Sequence, residues 1–215
     1  MATSKSKARR SLGIAGVVLL FGAVAVSLIS AARDSRTSRV TGRGARAVGA
    51  GVPGALSRLG SASAPRTWRR ATVASGSATL FYPPNWLPIR GDSGTVTAAL
   101  RARNGIYHGY LNLTPLEGAE QLAGWAAFRT TRNGQEGDEQ TRIVASAENL
   151  RVAGARASCV LDDYLSAVGS HPYRELACIV AGRHHTDVFV GATLASEWPT
   201  LGAVIERAAA ALRER

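Results

Sequence analysis

The chain has 215 residues, 46% of them hydrophobic, and 26 Lys and Arg against 15 Asp and Glu, for a formal net charge of +11. That excess is not spread along the chain: residues 1–70 hold 13 of the basic residues and a single acid, Asp34, whereas residues 71–215 hold 13 basic and 14 acidic residues. The part long enough to fold is therefore near neutral, which argues against a basic nucleic-acid-binding domain.

Residues 1–10 form a basic tail with Lys5, Lys7, Arg9 and Arg10, and residues 11–32 carry no charge. A helix of about 20 apolar residues crosses the hydrocarbon core of a bilayer. The run is apolar around its whole circumference, which argues against a surface helix of a soluble domain. It is longer than the roughly 7–15 apolar residues of a signal peptide, so the expectation is a transmembrane signal anchor with a cytoplasmic N-terminus. Cleavage after Ser30-Ala31-Ala32 is the open alternative, which would release the protein. Arginines flank both ends, so the positive-inside rule does not set the orientation.

Residues 33–72 are rich in Arg, Gly, Ala and Ser and poor in large apolar side chains. Such a composition buries too little surface to offset its ordering entropy, and the expectation is a flexible stalk. Besides the bilayer itself, its expected partner is an anionic surface or an envelope protein. Nucleic acid is not expected, because Trp68 is the one aromatic available for stacking. Gly49-Ala-Gly-Val-Pro-Gly54 matches a dinucleotide fingerprint in letters alone. No strand precedes it, Pro53 lacks an amide, and no acid follows near position 70.

Residues 73–215 have the length of one domain. Alternation predicts strands at Ala78–Tyr82, stopped by Pro83-Pro84, and at Gly94–Leu100 and Ile106–Leu113 around an Asn104-Gly105 turn. Thr114-Pro115-Leu116-Glu117 reads as a capping box opening a helix, with Leu122, Trp125 and Ala126 on its apolar face. Strands resume at Arg142–Ser146 and Leu150–Val152. A last helix opens at Ser196 and places Leu201, Ile205, Ala208 and Leu212 on one face. The order of strands, helix, strands, helix predicts an α+β fold with an antiparallel sheet flanked by helices.

Two further strands, Arg156–Leu165 and Tyr173–Val180, flank a loop at 166–172. A hairpin centred between Val168 and Gly169 sets Cys159 opposite Cys178, Leu161 opposite Leu176, and Asp163 opposite Arg174. Its cost is Asp162 opposite Glu175 on the other face. The facing cysteines predict a disulfide, against the alternative of two buried thiols. A bridge would put the domain outside the reducing cytosol.

Phe81-Tyr-Pro-Pro-Asn-Trp86 resembles the opening of PsbP-like domains, including LpqN-type envelope proteins of actinobacteria. Val152-Ala-Gly-Ala-Arg-Ala157, Asp163-Tyr164, the Val188-Phe-Val190 strand, Trp198 and a terminal helix follow in the family's order. Arg156 stands where the family has proline, and no lipid-anchor cysteine is present. The resemblance spans about residues 75–212 and implies an α/β/α sandwich. It also implies a binding or assembly accessory without shared catalytic residues, and no cofactor.

His184-His185-Thr186-Asp187 is the best local arrangement for a metal. Neighbours on a strand point to opposite faces, so only His185 and Asp187 would converge, and zinc takes three or four ligands. No nucleophile elbow supports a Ser/His/Asp hydrolase. The leading expectation is a membrane-anchored, extracytoplasmic binding module without catalysis. Tyr82, Trp86, His184 and His185 are the candidate contact residues. The alternative is an envelope hydrolase or metal-binding protein using His184, His185 and Asp187.

Overall fold

In the computed structural model, residues 52–214 are described. The basic tail, the apolar segment 11–32 and the start of the expected stalk lie outside the described residues. Among the described residues no helix is long and apolar enough to cross a membrane.

The first strands are β1 (Arg69–Thr72), β2 (Ala78–Tyr82), β3 (Leu87–Ile89), β4 (Val96–Arg101) and β5 (Tyr107–Pro115). Helix α1 (Trp125–Gln135) follows, then β6 (Glu139–Val152), β7 (Ala155–Leu165), β8 (Pro172–Ala181) and β9 (Thr186–Leu194). Helix α2 (Trp198–Ala210) and the short β10 (Arg213–Glu214) close the domain. Strands β3-β4-β5-β9-β8-β7-β6 form a seven-stranded sheet and β1-β2-β10 a three-stranded one. The described pairings are antiparallel. The architecture is α+β, as the strand and helix order predicted.

The large sheet has two apolar faces because β7, β8 and β9 are buried on both sides. One face carries Val160, Ala177, Ile179, Val188 and Val190 and receives Trp125 of α1. The other carries Cys159, Leu161, Leu176, Cys178 and Phe189, and packs with Ile205 and Ala208 of α2 and with Leu80 of the small sheet. At Gly191 an added Cβ would lie 2.5 Å from Cγ2 of Ile205 and 3.1 Å from Cδ2 of Leu111. The close seat of α2 on β9 thus requires glycine there.

The hairpin register holds in full. Cys159 faces Cys178, Leu161 faces Leu176, Asp163 faces Arg174 and Asp162 faces Glu175. The cysteines are bonded, with their Cα atoms 4.2 Å apart.

Two expectations need correction. Thr114-Pro115-Leu116-Glu117 does not open a helix. β5 continues to Pro115, which faces Asp187, and the Leu116 amide donates to the Thr186 carbonyl. Pairing with β9 outcompetes the local cap, and Pro115 is tolerated because β4 begins at Val96, opposite Leu113, and leaves Pro115 unpaired on that side. Helix α1 starts at Trp125, after Gly124 in a left-handed turn, and its predicted apolar face is the one that packs.

The second correction concerns the stalk boundary at residue 72. A 3-10 turn at Gly54–Leu56 and strand β1 both fall within the expected stalk. Leu56 and Leu59 are 2% exposed and lie in the main core, with Trp68 and Ala71 against it. Ala62 donates its amide to the Ala210 carbonyl, Arg207 donates to the Ser63 carbonyl, and Arg58 pairs with Glu206 at 3.0 Å. Sparse apolar residues suffice here because they complete a core that the rest of the chain builds.

Candidate functional site

The residues singled out in the sequence do not form one site. Trp86 and Tyr82 are 1% and 4% exposed and belong to the core. Trp86 fits against Gly109, where an added Cβ would lie 3.1 Å from its ring. Neither can serve as an exposed contact surface, because both rings turn into the main core.

His184 and His185 are exposed in the turn between β8 and β9, whereas Asp187 is fully buried in β9. Asp187 Oδ1 accepts a hydrogen bond of 2.7 Å from the Ser77 hydroxyl. The imagined convergence of His185 and Asp187 is thus absent, since the carboxylate is committed to the interior. His108 is on β5, where its Nδ1 bonds to Glu197. Among the described residues no group of three or more His, Cys, Asp and Glu could hold a metal ion.

The structure does bring ionisable groups together in two buried places that the sequence reading did not single out. The first lies beneath α1. Arg129 grips Glu175 through two hydrogen bonds, Nε to Oε1 at 2.6 Å and Nη2 to Oε2 at 2.9 Å. Tyr110 donates to Glu175 Oε2 at 3.5 Å and shares a hydrogen bond of 3.1 Å with Tyr164. Asp162, across the strand pair from Glu175, is fully buried with no hydrogen-bond partner among the described residues. Burial, and then the Glu175 charge, push its carboxyl up to about 8. Both effects favour the neutral form of Asp162, and the Arg129 guanidinium pairs with Glu175. The unfavourable opposition in the hairpin register was the one sequence signal for this cluster.

The second place joins the chain's end to the sheet. Burial, followed by the charge of Asp187, raises the Glu214 carboxyl to about 8. Neither Glu214 oxygen, nor Oδ2 of Asp187, has a hydrogen-bond partner among the described residues. The charge of Asp187 on β9 thus bears on Glu214 of β10, with Ser77 of the turn before β2 bonded to the other oxygen of the aspartate. The carboxylate oxygens of Asp162 and Glu214 are buried, which suits both clusters to fixing elements rather than to meeting a substrate.

The surface presents a different chemistry. On β2, Ala78, Leu80 and Tyr82 face the core, while Thr79 and Phe81 lie on the opposite side of the small sheet. There Arg70, Thr72, Thr79, Phe81 and Arg213 line a hollow of about 210 Å³. A second, more open groove of about 550 Å³ runs between Ser61–Ala64 and Ala211–Glu214 and is walled mainly by small side chains.

A scan against protein-family models found no match, and neither did a search of curated proteins. Among solved structures, cyanobacterial PsbP (CyanoP) from Synechocystis sp. PCC 6803 superposes with a TM-score of 0.51 at 16% identity, covering 73% of this chain and 99% of that one. The Saccharomyces cerevisiae Ran-binding protein Mog1p gives 0.43 at 11% identity, over 66% of this chain and 87% of its own. LpqN of Mycobacterium tuberculosis, described as involved in cell envelope biogenesis, gives 0.43 at 13% identity, over 67% and 90%. The last two scores are below one half, and the fold assignment rests on the first. The described domain shares the fold of cyanobacterial PsbP.

Proposed function

We propose that this protein is a membrane-tethered, extracytoplasmic binding or assembly accessory that performs no catalysis of its own. The observation that carries this reading is where the reactive groups lie. The carboxylates that meet one another are enclosed beneath α1 or under β10, and the exposed His184 and His185 stand apart from the buried Asp187. What faces outward is a sheet surface with basic and hydroxyl groups, which suits binding.

Two features support the compartment. The apolar segment 11–32 has the length of a signal anchor, and the Cys159–Cys178 bridge belongs to an oxidising environment. The test is crosslinking of the full chain in intact cells with partner identification, run beside hydrolase assays of the purified protein. The expected result is a specific envelope partner and no turnover. Hydrolytic activity that His185→Ala abolishes, with no partner recovered, would replace this reading by the hydrolase one.

A further inference from the structure

We propose that the outer face of the small sheet is a binding site for the phosphate of an anionic phospholipid headgroup, held by Arg70 and Arg213 with the hydroxyls of Thr72 and Thr79.

The strand register builds the site. Thr72 faces Thr79 across β1 and β2, and Arg213 faces the same Thr79 across β2 and β10. One row thus carries two hydroxyls and a guanidinium across all three strands. The next row on this face sets Arg70 opposite Phe81. Phe81 is on the side of the sheet turned away from the core, yet it is only 8% exposed. The Arg213 guanidinium covers it, 5.0 Å from the ring centre, and this cation–aromatic contact holds the guanidinium over the hollow.

The charges in this hollow are unmatched. No acidic side chain lines it, and neither Arg70 nor Arg213 has an ion-pair partner among the described residues. Other arginines of the domain do meet carboxylates, among them Arg58 with Glu206, Arg129 with Glu175, and Arg142 and Arg174 with Asp163. Two cations converging on one cavity without an acid leave a field that favours an anion. Thr72 Oγ1 and Thr79 Oγ1 are 3.0 Å apart. One hydroxyl proton serves that bond, and the other is free to donate into the hollow. Guanidinium forks and a hydroxyl are the donors that suit phosphate oxygens.

A lipid headgroup is the source that fits this chain. The site is a hollow on the outer face of the small sheet. The residues between the apolar segment 11–32 and the described domain carry Arg33, Arg36, Arg39, Arg43 and Arg46. Basic groups beside an anionic membrane surface are drawn to it. This inference rests on the tethered reading, but its test does not depend on which side of the membrane the domain occupies.

The test uses the full chain in micelles of an uncharged detergent. Short-chain phosphatidylglycerol is titrated in, with short-chain phosphatidylcholine and inorganic phosphate as separate arms. The readout is the backbone amide shifts of Thr72, Thr79 and Phe81. Saturable shifts are expected with phosphatidylglycerol, and weak or absent ones with the other two. The affinity should fall at least tenfold in Arg70→Gln and in Arg213→Gln, and stay within about twofold in the charge-matched surface control Arg90→Gln. Arg70→Gln removes an exposed side chain and leaves the fold intact, so it decides the outcome if Arg213→Gln proves unstable. Equal shifts with phosphatidylcholine, equal saturation by inorganic phosphate, or an equal loss in Arg90→Gln would each overturn the proposal. A C-terminal reporter placing the domain in the cytoplasm would overturn the tethered extracytoplasmic reading while leaving this titration unaffected.

Discussion

Asp162 and Glu214 give the domain an unusual dependence on pH. Both carboxyls rise to about 8 on folding, from ordinary values near 3.8 and 4.5. A folded state that holds extra protons loses stability as pH rises between the unfolded and folded values, so each group weakens the domain progressively from about pH 4 to about pH 8. Asp163 acts in the opposite sense. The Arg174 hydrogen bonds hold its carboxyl below 3.8, so its contribution is lost only as pH falls through the acid range. The melting temperature should therefore peak in mildly acidic buffer and decline towards pH 8. Asp162→Asn removes one source of that decline and should add about 1–3 kcal/mol at pH 8, with little gain at pH 4. Melting curves across that range decide it: equal gains at both ends would mean that Asp162 is not protonated by its surroundings.

The same residues show what a sequence can and cannot disclose. The Cys159–Cys178 pairing could be read because a hairpin register follows from a turn centre and the arithmetic of facing positions. The Asp162–Glu175 opposition came from the same arithmetic and read only as a cost. Its resolution needed Arg129, 46 residues before Glu175, and nothing local announces a contact at that distance. Replacing both cysteines by alanine should cost about 3 kcal/mol, the value for closing a loop of this size. An unchanged urea midpoint would show that the bridge contributes nothing to stability.

At the level of elements, local signals were overridden where long-range pairing offered more. The Thr114–Glu117 box had the right letters, and Thr114 does donate to Glu117, at 3.2 Å. The backbone nevertheless stays extended because β9 supplies partners for it. β3 escaped notice because it has three residues and contains Pro88, which an edge position permits. β6 reads as two fragments in the sequence and is one strand interrupted by bulges, with Gln140 and Asn149 at positive φ. Those irregularities suit an edge strand that must not pair with another molecule. Helix α2 sits close on β9 at Gly191. Gly191→Ala should cost about 1–3 kcal/mol by overpacking against Ile205, which is fully buried and cannot yield. A melting temperature equal to that of the parent would show that the helix moves aside freely.

Over the whole molecule, the revised boundary matters most. Composition assigned residues 33–72 to a stalk, yet the segment from Gly54 onward contributes two core leucines and the strand that completes the small sheet. Composition averages over a window and hides a few well-placed apolar side chains. Removing residues 36–51 should leave the urea midpoint unchanged, whereas Leu56→Ala with Leu59→Ala should cost about 2–5 kcal/mol for each leucine. If the double variant were as stable as the parent, the segment would be a stalk after all.

The central claim is that a neutral, bridged domain works beyond the cytoplasm at the end of a membrane anchor. The most direct measurement is to quench living cells with acid, alkylate every free thiol, and weigh the peptides containing Cys159 and Cys178. The account predicts an unalkylated, linked pair that reacts only after reduction. Quantitative alkylation of both cysteines without reductant would place the domain in a reducing compartment and contradict it.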